Sequence, residues 1–424
     1  MLNAHDIIAK NTLLSNAQRR VLFLAVQAIL CCRWRINFCS MAEVSARTER
    51  TYRRHYQEPI DFLQMHRAVV DSVLSESLSG LRVIGFDPTF LPKAGKKTPG
   101  VGRFWNGSAQ RAESGLEATL TAVIDVERRI AFPLAIQQTC SPKLDPQKEQ
   151  MCSDTTVSAV AVSADAVKEP WLIAEYLRHL ERVKPLLHQQ ERHVVADSYF
   201  AKKSFLDGIE RLKLFCITKL RKDAHLQYFY RGEPRAKGRG RQKVYDGKVE
   251  WNNLRTDVFE RTVMDDGTVL LSAIFFHSTF KRKLKIVIIQ QQHGSTIRQT
   301  ILASTDLSLD ALTIYRAYSA RFQLEFLIRD GKGFTGLADA QTRNLNAIDT
   351  HLNISMLTLG LAKAEHYHSV GIESEKPFSM NAVKTRAFNE HFATRILSIY
   401  GLSPEMIKNH LEFQNIRNYA IIQH

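Results

Sequence analysis

Three carboxylates, and the helix that carries one of them, hold most of the chemistry that can be read from this chain. Asp87 ends the apolar run LRVIGF (81–86), and Asp197 ends HVVA (193–196). In an open α/β sheet, functional groups gather beyond the carboxyl ends of the strands, although Asp is also an ordinary strand-exit and turn residue. Glu325 lies in IYRAYSARFQLEFLIRDGKGF (314–334). At about 100° per residue, Arg321 and Glu325 fall within about 60° of Tyr318, and so does Lys332 if the helix continues past Gly331. One face of a mostly apolar helix then holds a carboxylate between two cations, which is costly to bury for structure alone. A solvated salt-bridge face is the simpler alternative. Three carboxylates from different elements supply hard oxygen ligands for Mg²⁺ or Mn²⁺, with substrate phosphate completing the shell. Two such ions suit an in-line displacement at phosphorus, and the cations beside Glu325 suit neighbouring phosphates.

The elements that must position these groups follow from periodicity. Residues 79–220 alternate strand, hairpin, helix, strand, helix, strand, an α/β order with a mixed sheet. The hairpin is ATLTAVIDVERRIAFPLAIQ, and Pro170 opens the first helix. Residues 221–306 interrupt that order with a β-rich insertion. It begins with a basic loop, RGEPRAKGRGRQK (231–243), and continues through the strands KVEWNNL, TDVFERTVM, TVLLSAIFFH and LKIVIIQQQ, with a turn at Asp266-Gly267. The loop either tracks a phosphate backbone or merely solubilises. A long helix from Leu309 to about Asp330 opens a segment, 307–365, that completes the α/β domain begun at 79–220; 366–424 is a C-terminal helical region. Residues 1–78 are helical. Within 37–58 the pattern is short helix, turn, longer helix, with Thr48 as cap and Pro59 as terminator. Arg47, Arg50 and Arg54, with Arg53 beside them, form one basic face, the layout of a helix-turn-helix recognition element or of an ordinary solvated helix.

Composition narrows the class. The chain has 424 residues, 44% hydrophobic and 24% charged, so it is globular and long enough for several domains. A net charge of +15 points to a polyanion, with nucleic acid ahead of an anionic membrane. The longest apolar stretch, VLFLAVQAILCC, is too short to span a bilayer. MLNAHDIIAKN has no apolar core of a secretory signal. Six cysteines without a C-x-x-C pair suit a reducing compartment and argue against a zinc ribbon. The expectation is a cytoplasmic, nucleoid-associated protein with no membrane partner.

Tyr318-x2-Arg321-x3-Glu325-x6-Lys332 resembles the Y-R-E-K signature of a family of bacterial insertion-sequence transposases, DDE enzymes with an RNase H-like core. GFDPT and VVADSYF match the family's two strand-borne aspartates, and KGFTGLADAQTRNLNAIDTHLNI resembles its continuation. The resemblance covers about 80–365, and the N-terminal region fits by role as the end-binding domain. One departure is Ser-Tyr-Phe after Asp197, in place of the acid-bearing run of some relatives; the three carboxylates are intact. The resemblance implies a cut-and-paste transposase. Asp87, Asp197 and Glu325 would be catalytic and bind two Mg²⁺ or Mn²⁺ ions. Tyr318, Arg321 and Lys332 would hold phosphates. Water would free a 3′-hydroxyl at an element end, and that hydroxyl would attack target DNA. Double-stranded DNA would be the partner, bound by a homodimer or higher assembly. Trp251, the one Trp in the insertion, would stack on a flipped base or belong to the insertion's core. Trp105, in GRFWNGS, is a second candidate for DNA contact. A domesticated DNA-binding relative and a nuclease without strand transfer are the competing readings. His351, beside Asp349, reads as packing or DNA contact rather than a ligand.

Overall fold

The computed structural model describes residues 2–11, 14–75, 78–95, 97–140, 168–233, 242–251, 253–294, 296–403 and 409–421. Most of the basic loop (234–241) and Cys152 lie outside them. The chain opens with helices α1 (Leu2–Ala9), α2 (Asn16–Cys31), α3 (Phe38–Glu43), α4 (Glu49–Tyr56) and α5 (Leu63–Val73). Capping boxes from Ser15 and Asn37 start α2 and α3, satisfying the free N–H groups of each first turn.

Strands β1 (Arg82–Pro92), β2 (Gly102–Asn106), β3 (Arg111–Asp125) and β4 (Ile130–Gln138) follow. Next come α6 (Lys168–Val183), β5 (His193–Ala196), α7 (Lys203–Arg211) and β6 (Phe215–Leu220). β1 pairs antiparallel with β3, and β3 with β4, while β1, β5 and β6 run parallel. The expected hairpin is present, and β3 extends further back, to Arg111.

The strand-rich stretch after β6 contributes β7 (Leu226–Phe229), β8 (Tyr245–Lys248), β9 (Glu260–Val263), β10 (Val269–His277), β11 (Arg282–His293) and β12 (Thr296–Ser304). β12 pairs with β6, so these strands prolong the sheet of β1, β5 and β6: the order is β2-β3-β1-β5-β6-β12-β11-β10-β7-β8, with β4 on β3 and β9 on β10. Gly267 takes a positive φ of 79° in the β9–β10 turn, as the Asp-Gly pair predicted. The strand expected over KVEWNNL (248–254) lies earlier: β8 ends at Lys248, the first residue of that run, and Trp251 sits in a turn, half-buried against the core.

The chain closes with α8 (Ala311–Ala320), α9 (Gln323–Phe334), α10 (Leu345–Val370), α11 (Met380–Ile399) and α12 (Leu411–Arg417). From Ala347 to Ala364 every residue of α10 but the half-buried Asp349 is buried, which explains its lack of an amphipathic pattern. It lies between β4 on one side and α5, α2 and α4 on the other, so the N-terminal helices pack directly onto the α/β body. His351 donates from Nε2 to the Gly336 carbonyl at 2.7 Å and is buried, a packing role. α6 and α7 cover the opposite sheet face, where Phe86 meets Tyr176, Phe200 and Phe205. The result is the expected α/β class, a large mixed sheet flanked by helices, consistent with an RNase H-like fold. Among the described residues no helix is long and apolar enough to cross a membrane.

Candidate active site

Asp87 is not at a strand end. β1 runs five residues past it, because Pro88–Pro92 continue the ladder with β3. Asp197 does end its strand: it caps a short 3₁₀ turn (Ser198–Phe200), accepting the Tyr199 N–H at 2.8 Å. Register brings the two together. The last parallel pair of β1 and β5 is Gly85 with Val195, so Asp87 and Asp197 lie two residues further along neighbouring strands, on one face. Neighbouring strands are about 4.8 Å apart.

Glu325 comes from above that face. The single helix expected over 309–330 is two helices, broken at Arg321 and Phe322. Across the break the N–H groups of Arg321, Phe322, Leu324 and Glu325 bond three residues back instead of four, the tighter 3₁₀ spacing. The 100° wheel therefore fails between Tyr318 and Glu325. α9 continues smoothly through Gly331 and Gly333 to Phe334, which carries Lys332 on the helix.

Arg321 sits at the focus. Its Nη1 lies 3.4 Å from Asp87 Oδ2, and its Nη2 lies 3.1 Å from Glu325 Oε1. Its guanidinium carbon is 6.0 Å from the Tyr318 ring centre. Lys332 Nζ donates to the Phe90 carbonyl at 2.8 Å, further along β1. Burial pushes the Asp87 carboxyl up to about 7; Arg321 opposes this, and the charges of Asp197, Glu325 and Glu117 reinforce it. Burial works against the Arg321 charge, yet Asp87, Tyr318 and Glu325 hold its pKa above the ordinary value. Burial raises the Tyr318 phenol and lowers Lys332, the latter opposed by Asp87.

Two contributors escaped the sequence reading. A Cβ on Gly85 would come within 2.6 Å of Ile124 Cδ1 and 2.9 Å of both Leu324 methyls. The missing side chain is what lets α9 settle onto β1 one residue from Glu325. A lone Gly inside an apolar strand was the available signal. Glu117, buried on β3 and bonded to the Tyr176 hydroxyl at 2.8 Å, adds negative field from the other sheet face. An acid within a strand core was the signal there.

The remaining candidates lie elsewhere. Arg50, Arg53 and Arg54 are exposed on α4, with Tyr52, His55 and Tyr56 buried behind them. Arg53 pairs with Glu49, and Arg54 Nη2 lies 3.0 Å from His55 Nε2. Arg47 precedes the helix, which corrects its place on the basic face, and Thr48 takes the expected N-cap position but makes no side-chain cap bond. Neither the α4 arginines nor Trp251 shares a hydrogen bond or ion pair with the carboxylate group among the described residues.

The model of the family described as DDE superfamily endonuclease matches residues 11–267, more than half of the chain. The chain belongs to this family. The match takes in α2 to α5, Asp87 and Asp197, and stops before α8 and α9. No curated protein sequence matches this chain. DDE endonucleases cut nucleic acid and generally use divalent metal ions, and the donor chemistry here suits them: oxygen ligands only, with no thiolate or imidazole in the group. The carboxylates as placed are spanned by Arg321. Among the described residues no three His, Cys, Asp or Glu groups are close enough to close a metal site by themselves.

Proposed function

We propose that this endonuclease is a transposase of the Y-R-E-K type, which cuts DNA at the ends of a mobile element and joins the freed 3′-hydroxyls to target DNA. The observation that carries the proposal is the convergence of Asp87 from β1, Asp197 from the end of β5 and Glu325 from α9 around one arginine. A net charge of +15 supplies the general attraction to DNA.

Asp87, Asp197 and Glu325 would hold two Mg²⁺ or Mn²⁺ ions, which supply nucleophile activation and leaving-group stabilisation at a phosphodiester when bound. The chain's own groups do the rest. Asp87, with its carboxyl raised to about 7, sheds its proton near neutral pH. Arg321 turns from the carboxylates toward a phosphate oxygen, a bidentate match that its planar fork favours. Lys332 and Tyr318 hold phosphates on either side. α4, with Arg50, Arg53 and Arg54, reads the element end in a homodimer or larger assembly, since two ends need two active sites. Trp251 stacks on a splayed base only if the turn that holds it opens.

The test is a reaction with Mg²⁺, a duplex carrying the sequence flanking this gene, and a supercoiled target plasmid. Cut ends joined to plasmid are expected. Cutting without joining would reduce the function to a nuclease, and specific binding without cutting would make it an inactive relative.

A further inference from the structure

The β2–β3 hairpin has no role in the scheme above, yet it continues the face that carries Asp87. Asp87 pairs with Leu120, and β2 pairs with the same β3 further out: Arg103 with Ser114, and Trp105 with Ala112. Directly paired residues of an antiparallel ladder point to the same face, and alternate residues of a strand share it. Leu120, Ser114 and Ala112 are an even number of positions apart, so Arg103 and Trp105 lie on the face of Asp87, the side on which α9 packs. Eight residues of β3 separate the Asp87 pair from the Trp105 pair, about 27 Å at a strand rise of about 3.4 Å. That length matches about eight base pairs of duplex.

The chemistry at the tip is unusual for a folded surface. Trp105 is 60% exposed, the least buried Trp or Phe ring among the described residues. Arg103 is exposed, donates only to the Ala112 carbonyl at 3.0 Å, and has no acidic partner among the described residues. The nearby acid, Glu113, falls on the opposite face and is taken up by Arg111 and Asn106. Between tip and site, Lys332 and Lys93 are anchored along the same path, on the carbonyls of Phe90 and of Ala338 and Ala340. An uncompensated guanidinium beside an exposed aromatic, in line with the carboxylates, fits a phosphate backbone and the sugar or base it carries.

We propose that this hairpin is a DNA arm, on which Arg103 and Trp105 grip the duplex about eight base pairs from the bond cut at Asp87. The inference rests on the nuclease reading. The test uses the full chain and a nested set of duplexes carrying the gene-flanking sequence, trimmed stepwise toward the mapped cut. Binding is read by anisotropy at one fixed salt concentration, and melting temperature and size are checked for each variant. Wild type should lose about tenfold in affinity when the flank falls below about eight base pairs. The pair Arg103→Ala and Trp105→Ala should bind long duplexes about tenfold more weakly and be indifferent to trimming, while Trp105→Phe keeps most of the effect. Wild-type cutting with identical length dependence in the double variant would overturn the arm alone. A changed oligomeric state with unchanged length dependence would overturn it in favour of a contact between copies of the chain. Failure of wild type to bind or cut any duplex would overturn the nuclease reading and the arm with it.

Discussion

At the residue scale, Asp87 is held where its charge is least welcome. It is half-buried, faced by Asp197 and Glu325, and relieved by Arg321 alone among its closest partners. Removing the carboxylate of Asp87, Asp197 or Glu325 should abolish cutting by about a thousandfold or more, with DNA binding intact in an anisotropy assay. The raised Asp87 pKa also sets a stability signature. Below its unfolded value near 4 both states are protonated; between about 4 and about 7 the folded state holds the extra proton, so stability falls as pH rises and levels off above about 7. Asp87→Asn removes that penalty. Its melting temperature should exceed that of wild type at pH 8 and match it near pH 4, and an equal difference at both would mean the carboxyl is not perturbed. Cutting should fall as pH drops below about 7, as Asp87 is neutralised.

At the element scale, the site depends on how closely α9 approaches β1. Gly85→Ala places a methyl against Ile124 and Leu324. It should cost about 1–3 kcal/mol of stability through overpacking, measured by denaturant unfolding, and reduce cutting more than the folded fraction explains. The strands and the Y-R-E-K spacing were legible because periodicity and motif are local. The break at Arg321–Phe322 was not: nothing in ARFQL disfavours helix, and the 3₁₀ turn answers to packing against the sheet. The extension of β1 past Asp87 was hidden by Pro88 and Pro92, whose missing N–H groups read as a strand end. Trp251 was misplaced because KVEW alternates like a strand but is taken over by a turn. On α4, Arg50 and Arg54 are exposed over a buried tyrosine face, as the basic pattern predicted. Arg50→Ala with Arg54→Ala should weaken end binding and lower the salt slope by about two; an unchanged slope would move recognition to another element.

At the scale of the whole molecule, one continuous sheet carries the strands of Asp87 and Asp197, the strand-rich segment after β6 and the β2–β3 hairpin, while the N-terminal helices are tied to it through α10. A displacement of the β2–β3 hairpin or of the N-terminal helices therefore reaches the carboxylates through packed structure rather than through a linker. The proposal that this assembly cuts DNA through Asp87, Asp197 and Glu325 is tested most directly by one comparison. Wild type and Glu325→Ala are incubated with Mg²⁺ and a duplex carrying the gene-flanking sequence, and the products are resolved at single-nucleotide length. The account predicts a discrete cut in wild type that disappears in the variant while both bind equally. A variant that cuts at the same position and rate as wild type would contradict it.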